Sequence, residues 1–104
     1  MNKRIQKQVA AFVKANRMET DVSHRVLDLV SEVGEVAKEV LKSTKYGTSG
    51  FKSGENWSSE LGDVMFSLTC VANSTGVDLE KALTEVLEKY RERIARTRQA
   101  GSGR

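Results

Sequence analysis

Between Leu61 and Val77 the chain reads LGDVMFSLTCVANSTGV, and at 100° per residue its apolar side chains cover nearly the whole circumference of a helix. Leu61, Val64, Met65, Leu68, Val71 and Ala72 fall on one side, with Phe66 and Cys70 on the other. A helix that is apolar all round is expected to be buried. It nevertheless carries Asp63, and Glu60 stands three residues earlier, one turn away on the same face. A buried, uncompensated carboxylate is costly, so something must neutralise the pair.

Working outward, Gly76 stops this helix, which is expected over about 56–75. Asp78 caps a following helix over about 79–98, with Ala82, Leu83, Val86, Leu87, Tyr90 and Ile94 on its inner face. Upstream, Val26, Leu29, Val30, Val33, Val36, Ala37, Val40 and Leu41 make a broad apolar face on a helix over about 22–43, capped by Asp21 or Ser23. Ile5, Val9, Phe12 and Val13 define a first helix over about 3–17. With no proline and few strand-like alternations, the expected fold class is all-α, four helices assembling into an oligomeric bundle. Gly47, Gly50 and Gly54 mark a long loop, and its Lys45 to Lys52 stretch, with Tyr46 and Phe51, is a candidate lid. Residues 1–100 are read as a single domain and 101–104 as a flexible tail.

The 104 residues are 38% hydrophobic and 30% charged. One cysteine excludes a disulfide framework within the chain. No apolar run approaches the ~18 residues of a membrane span, and the basic start lacks the apolar stretch of a secretory signal, so the expected location is cytoplasmic. The net charge of +3 hides an asymmetry: residues 18–80 hold eleven acids against five bases, and the two ends hold three acids against twelve. An acidic centre with basic ends is unlike a uniformly basic nucleic-acid binder.

The acidic centre concentrates in SEVGEVAKE, where Glu32 and Glu35 stand three apart and Glu39 follows one turn later. These glutamates lie at the edge of the apolar face, beside Val36. Antiparallel packing of the second and third helices would gather Glu32, Glu35, Glu60 and Asp63 at the border of the core. An all-oxygen donor set suits Mg²⁺, with Mn²⁺ as the alternative. A di-iron bundle would need Glu-x-x-His pairs, and the only histidine, His24, follows no glutamate at that spacing. So many carboxylates overcompensate one cation, which points to a polyphosphate substrate arriving with metal ions of its own. Glu-x-x-Glu arises by chance in any Glu- and Lys-rich helix; two such pairs on successive helices, one within an apolar segment, are harder to dismiss.

LDLVSEVGEVAKEVL followed by NWSSELGDVMFSLTCVANSTGVDLEKAL resembles the MazG-like nucleotide pyrophosphohydrolases over roughly residues 24–93, in the E-V-G-E core, the E-L-G-D-V core and the A-N-x-x-G-V-D-L turn. The resemblance implies an all-α fold, dimers or tetramers, and Mg²⁺-dependent hydrolysis of nucleoside triphosphates to the monophosphate and pyrophosphate, a nucleotide-pool housecleaning activity. It also implies that Glu32, Glu35, Glu60 and Asp63 are the catalytic metal ligands. Many members have Glu-Glu where this chain has Ser31-Glu32; Glu39 is the candidate to take over the missing carboxylate's role.

Glu35 or Glu32 is the candidate to orient the attacking water, and Lys89 and Arg93, one turn apart, to bind phosphate. Trp57 is a candidate base-stacking ring, with Phe12 and His24 as further lining candidates. Asn73 either caps the third helix or contacts ligand, and Cys70 is read as inert core. Two other functional classes compete: a non-enzymatic basic module binding nucleic acid through Arg91 to Arg98, and an oligomerisation domain whose acids pair with Lys38, Lys42 or Lys45 across an interface. The apolar surplus on the third helix favours a dimer joined through helices two and three.

Overall fold

The structure, a computed structural model, describes residues 3–97. Its elements are α1 (Arg4–Ala15), α2 (Val22–Ser43), α3 (Trp57–Thr75) and α4 (Leu79–Thr97), with no strand among the described residues. All four lie within two residues of the expected ranges at each end. Position 98 of the expected fourth helix and the tail 101–104 fall outside the described residues.

Local chemistry sets the boundaries. Asp21 accepts a hydrogen bond from the His24 backbone N–H at 2.8 Å and starts α2. Asp78 does the same for α4 through the Lys81 N–H at 3.1 Å. Gly76 takes φ 68°, and the Val77 N–H closes back on the Ala72 carbonyl, ending α3. Beyond α2, Lys45, Tyr46 and Gly47 are all left-handed, and the Tyr46 N–H bonds the Leu41 carbonyl.

α3 is the central element: α2 packs antiparallel along one side and α1 against another. Gln6, buried on α1, fastens the assembly. Its Nε2 donates to Asn73 Oδ1 at 3.1 Å and to the Val77 carbonyl at 2.7 Å, while its Oε1 accepts from the Leu79 N–H at 2.8 Å. Asn73 Nδ2 returns a bond to the Gln6 carbonyl at 3.0 Å. One glutamine thereby joins α1, the end of α3 and the start of α4.

The expected all-round burial of α3 is not met within one chain. Ser67, Thr69, Cys70 and Ala72 are buried, whereas Leu61, Met65 and Leu68 are exposed. α1 and α2 cover two sides and leave the third open. On α2 the stripe turned toward α3 is Arg25, Leu29, Glu32, Val36, Glu39 and Ser43, all buried or half-buried. The more continuous apolar stripe, Val26, Val30, Val33 and Leu41, is exposed about 120° around the helix. Leu83, Leu87 and Ile94 of the expected inner face of α4 are exposed too, and α4 packs along no other helix. The radius of gyration, 16.8 Å, exceeds the roughly 13 Å of a compact chain of this length.

Candidate active site

The seam between α2 and α3 carries an acidic trio. Because α2 and α3 run antiparallel, Glu32 in the middle of α2 comes opposite the first turns of α3. There one carboxylate oxygen each of Glu32, Glu60 and Asp63 lie within 4.8 Å of one another. Glu32 and Glu60 are half-buried and Asp63 is exposed. Glu60 Oε2 is buried without any hydrogen-bond partner. Removal from water pushes the Glu32 carboxyl above its ordinary value of 4.5, and the charges of Asp63, Glu60 and Glu35 push it the same way. No lysine or arginine forms an ion pair with the trio among the described residues. Three converging hard oxygens, on carboxylates of which Glu60 also holds a buried oxygen with no partner among the described residues, form a donor set suited to a divalent cation.

Glu35, the fourth expected ligand, is placed outside this trio. Its carboxylate is about half exposed and stands 3.8 Å from Lys38 Nζ, yet it is near enough to act on Glu32. Glu39 shares the stripe facing α3 but pairs with Lys42 at 3.4 Å. Both lysine pairs are formed within α2 itself.

The remaining candidates are dispersed. Trp57 opens α3 and packs edge-on against Phe51, ring centroids 4.9 Å apart, one turn before Glu60. Tyr46 of the same loop is 79% exposed. Lys89 and Arg93 flank the Tyr90 ring at 5.7 and 5.6 Å on a helix that lies along none of the others. The Asn73 amide is engaged at both ends with Gln6 of α1, a tie between helices and not a cap on the end of its own. Phe12 packs edge-on against Phe66 at 6.2 Å; His24 sits at the exposed α2 cap with its ring beside Asp21. Cys70 is buried, and burial pushes its thiol up, as inert core requires.

Glu32 and Asp63 open into a pocket of about 330 Å³ walled by Met18, Arg25, Asp28, Phe66 and Ser67. The sequence signal for these walls was a basic residue at Arg25, in line with Leu29, Glu32 and Val36 at helical spacing. A search for acidic pairs passes over it.

Comparisons with known proteins bear on this arrangement. The family described as the MazG nucleotide pyrophosphohydrolase domain matches residues 22–96, the stretch that holds α2, α3 and nearly all of α4. The crystal structure of the Bacillus-conserved MazG protein, a nucleotide pyrophosphohydrolase, superposes with a TM-score of 0.70 at 34% identity, covering 85% of this chain and 86% of that one. The crystal structure of YpjD from Bacillus subtilis gives a TM-score of 0.70 at 32% identity over 86% of this chain and 92% of that one. In sequence, YpjD of Bacillus subtilis (strain 168) is 41% identical over 68 residues, 62% of this chain and 60% of the relative. That matched stretch spans less than two thirds of the curated relative's length.

Proposed function

Since the chain belongs to the MazG nucleotide pyrophosphohydrolase family, we propose that it hydrolyses nucleoside triphosphates to the monophosphate and pyrophosphate at the acidic trio, with Mg²⁺, or Mn²⁺ in its place, held by Glu32, Glu60 and Asp63. The observation that carries this is the convergence of three carboxylates on one seam, with the buried Glu60 Oε2 lacking any protein partner. Bound there, the cation supplies charge neutralisation and Lewis acidity toward polyphosphate oxygens.

The chain's own groups do the rest. Glu35, outside the trio and half open to solvent, orients the attacking water and accepts its proton as the water adds in line to the α-phosphorus, with pyrophosphate leaving on the opposite side. Glu32 takes that part if Glu35 completes the ligand set. Lys89 and Arg93 bind phosphate, and Trp57 borders the entrance.

Lys89 and Arg93 do not line the pocket that Glu32 and Asp63 open into. The open apolar faces of α2, α3 and α4 support a homo-oligomer, a dimer or tetramer, in which another copy closes over the site. Residues 1–100 act as one catalytic domain, the setting is cytoplasmic, and the work is nucleotide-pool housecleaning. No helix of the described chain is long and apolar enough to cross a membrane. The acidic seam is the wrong surface for nucleic acid.

The test is pyrophosphate release from a panel of nucleoside triphosphates with added Mg²⁺, comparing the parent with Asp63→Asn and Glu60→Gln. Both variants are expected to lose turnover and retain the helical circular-dichroism signal. Full activity in both would remove the trio from the mechanism.

A further inference from the structure

Arg25 is 6% exposed, and its guanidinium carries a positive charge and five N–H donors. The structure gives it one bond, from Nη2 to the Met18 carbonyl, and among the described residues no carboxylate lies within ion-pair distance of it. None of its other nitrogens is a buried atom left without a partner, so they stay open to solvent and to the acceptors of a ligand. The side chain lines the pocket that it shares with Glu32 and Asp63. Asp28, one turn further along α2, lines the same pocket and is itself exposed.

Position decides which part of a substrate would meet this pair. Arg25 precedes Glu32 by seven residues, about 10 Å along the helix axis. A nucleotide with its phosphates at the trio therefore turns its other end, the base, toward Arg25. A phosphate placed there would meet the Asp28 carboxylate, an unfavourable like charge, whereas a neutral group offering acceptors beside donors suits an arginine next to an aspartate. Met18 and Phe66 supply apolar walls for a flat ring.

Resting on the nucleotide reading above, we propose that Arg25 and Asp28 read the nucleobase and select guanine. Guanine presents O6 and N7 as adjacent acceptors for the arginine fork, and its N1–H and N2 amino group, which follow O6 around the ring on the Watson–Crick edge, as adjacent donors for the carboxylate. Adenine puts an amino group where the arginine needs an acceptor, and the pyrimidines lack the N7 acceptor.

Binding tests this without requiring turnover. GMP, AMP, CMP and UMP are titrated by calorimetry against the parent, Asp28→Asn and Arg25→Lys, with thermal denaturation as the check on folding. The parent is expected to bind GMP roughly 10- to 100-fold more tightly than AMP. Asp28→Asn, an exposed change that leaves the packing intact, and Arg25→Lys are both expected to shrink that ratio toward one. Equal affinity of the parent for all four monophosphates overturns the proposal. So does an Arg25→Lys variant that weakens all four alike, which is the mark of a phosphate contact, or a guanine preference that survives in both variants. A protein that prefers GMP yet releases no pyrophosphate would refute the proposed reaction and leave this assignment standing.

Discussion

Replacing Gln6 by leucine keeps roughly the volume of the side chain and removes its three side-chain hydrogen bonds, to Asn73 Oδ1, the Val77 carbonyl and the Leu79 N–H. Each such bond contributes about 0.5–1.5 kcal/mol net, so the sum is roughly 3 kcal/mol. The residue is 7% exposed, so water replaces little of this. At about 4–8 °C per kcal/mol for a domain of this size, the melting temperature should fall by roughly 12–24 °C. The assay is thermal unfolding followed by circular dichroism at one fixed protein concentration, because association raises the apparent stability.

Gln6→Glu sharpens the test. An ionised carboxylate would face two acceptors, Asn73 Oδ1 and the Val77 carbonyl, and only its protonated form can donate to either. Its pKa in the folded state is therefore raised above the ordinary ~4.3, so the stability lent by the proton is fully present below that value and lost as pH rises through the raised one. The deficit of Gln6→Glu against the parent should narrow as pH falls. A drop of under about 3 °C in Gln6→Leu, or a deficit in Gln6→Glu indifferent to pH, would refute the view that this residue clamps α1 to the α3–α4 corner.

Two further outcomes follow from the site and the surface. Because Glu32 is pushed up by desolvation and by its acidic neighbours, the stability lent by its proton is present below the ordinary 4.5 and lost as pH rises through the raised value. The metal-free protein should accordingly lose stability across that window and regain it on adding Mg²⁺ or Mn²⁺, with proton release in calorimetry that increases as pH is lowered toward the Glu32 value; a melting temperature blind to both cations would argue against the trio as their site. Leu87→Lys and Val30→Lys, both at positions exposed within one chain, should cost an isolated chain under about 0.5 kcal/mol but dissociate an oligomer in sedimentation velocity, and unaltered sedimentation in both would show that these faces are not where copies meet.

The helices were readable because their signals are local. Asp21, Gly76 and Asp78 act on backbone groups within a few residues, so boundaries follow from short spacings. The acidic seam was readable in part, since Glu60 and Asp63 must share a face whatever surrounds them. Which stripe of α2 meets α3 was not readable, because periodicity locates an apolar face without saying what covers it. The strongest stripe, through Val26, Val30 and Val33, faces outward, and the mixed stripe through Arg25, Glu32 and Glu39 turns inward. That choice separates Glu35 from the trio and brings Arg25 into the pocket. Asn73 carried two readings because an amide serves a backbone or a ligand equally well, and its bonds to Gln6, far away in sequence, are a third use that no local spacing signals.

The stretch between α2 and α3, which begins with the left-handed run Lys45, Tyr46 and Gly47, has a bearing on how such a chain can diversify. The alignment of Glu32 with Glu60 and Asp63 comes from side chains meeting along the two helices, while the connection between them is largely exposed. Doubling a flexible connection costs only about 0.6 kcal/mol. Insertions there can reshape the approach to the pocket while the carboxylates keep their places, so the length of residues 44–56 is free to drift in evolution where a single insertion within either helix would turn an acid off the seam.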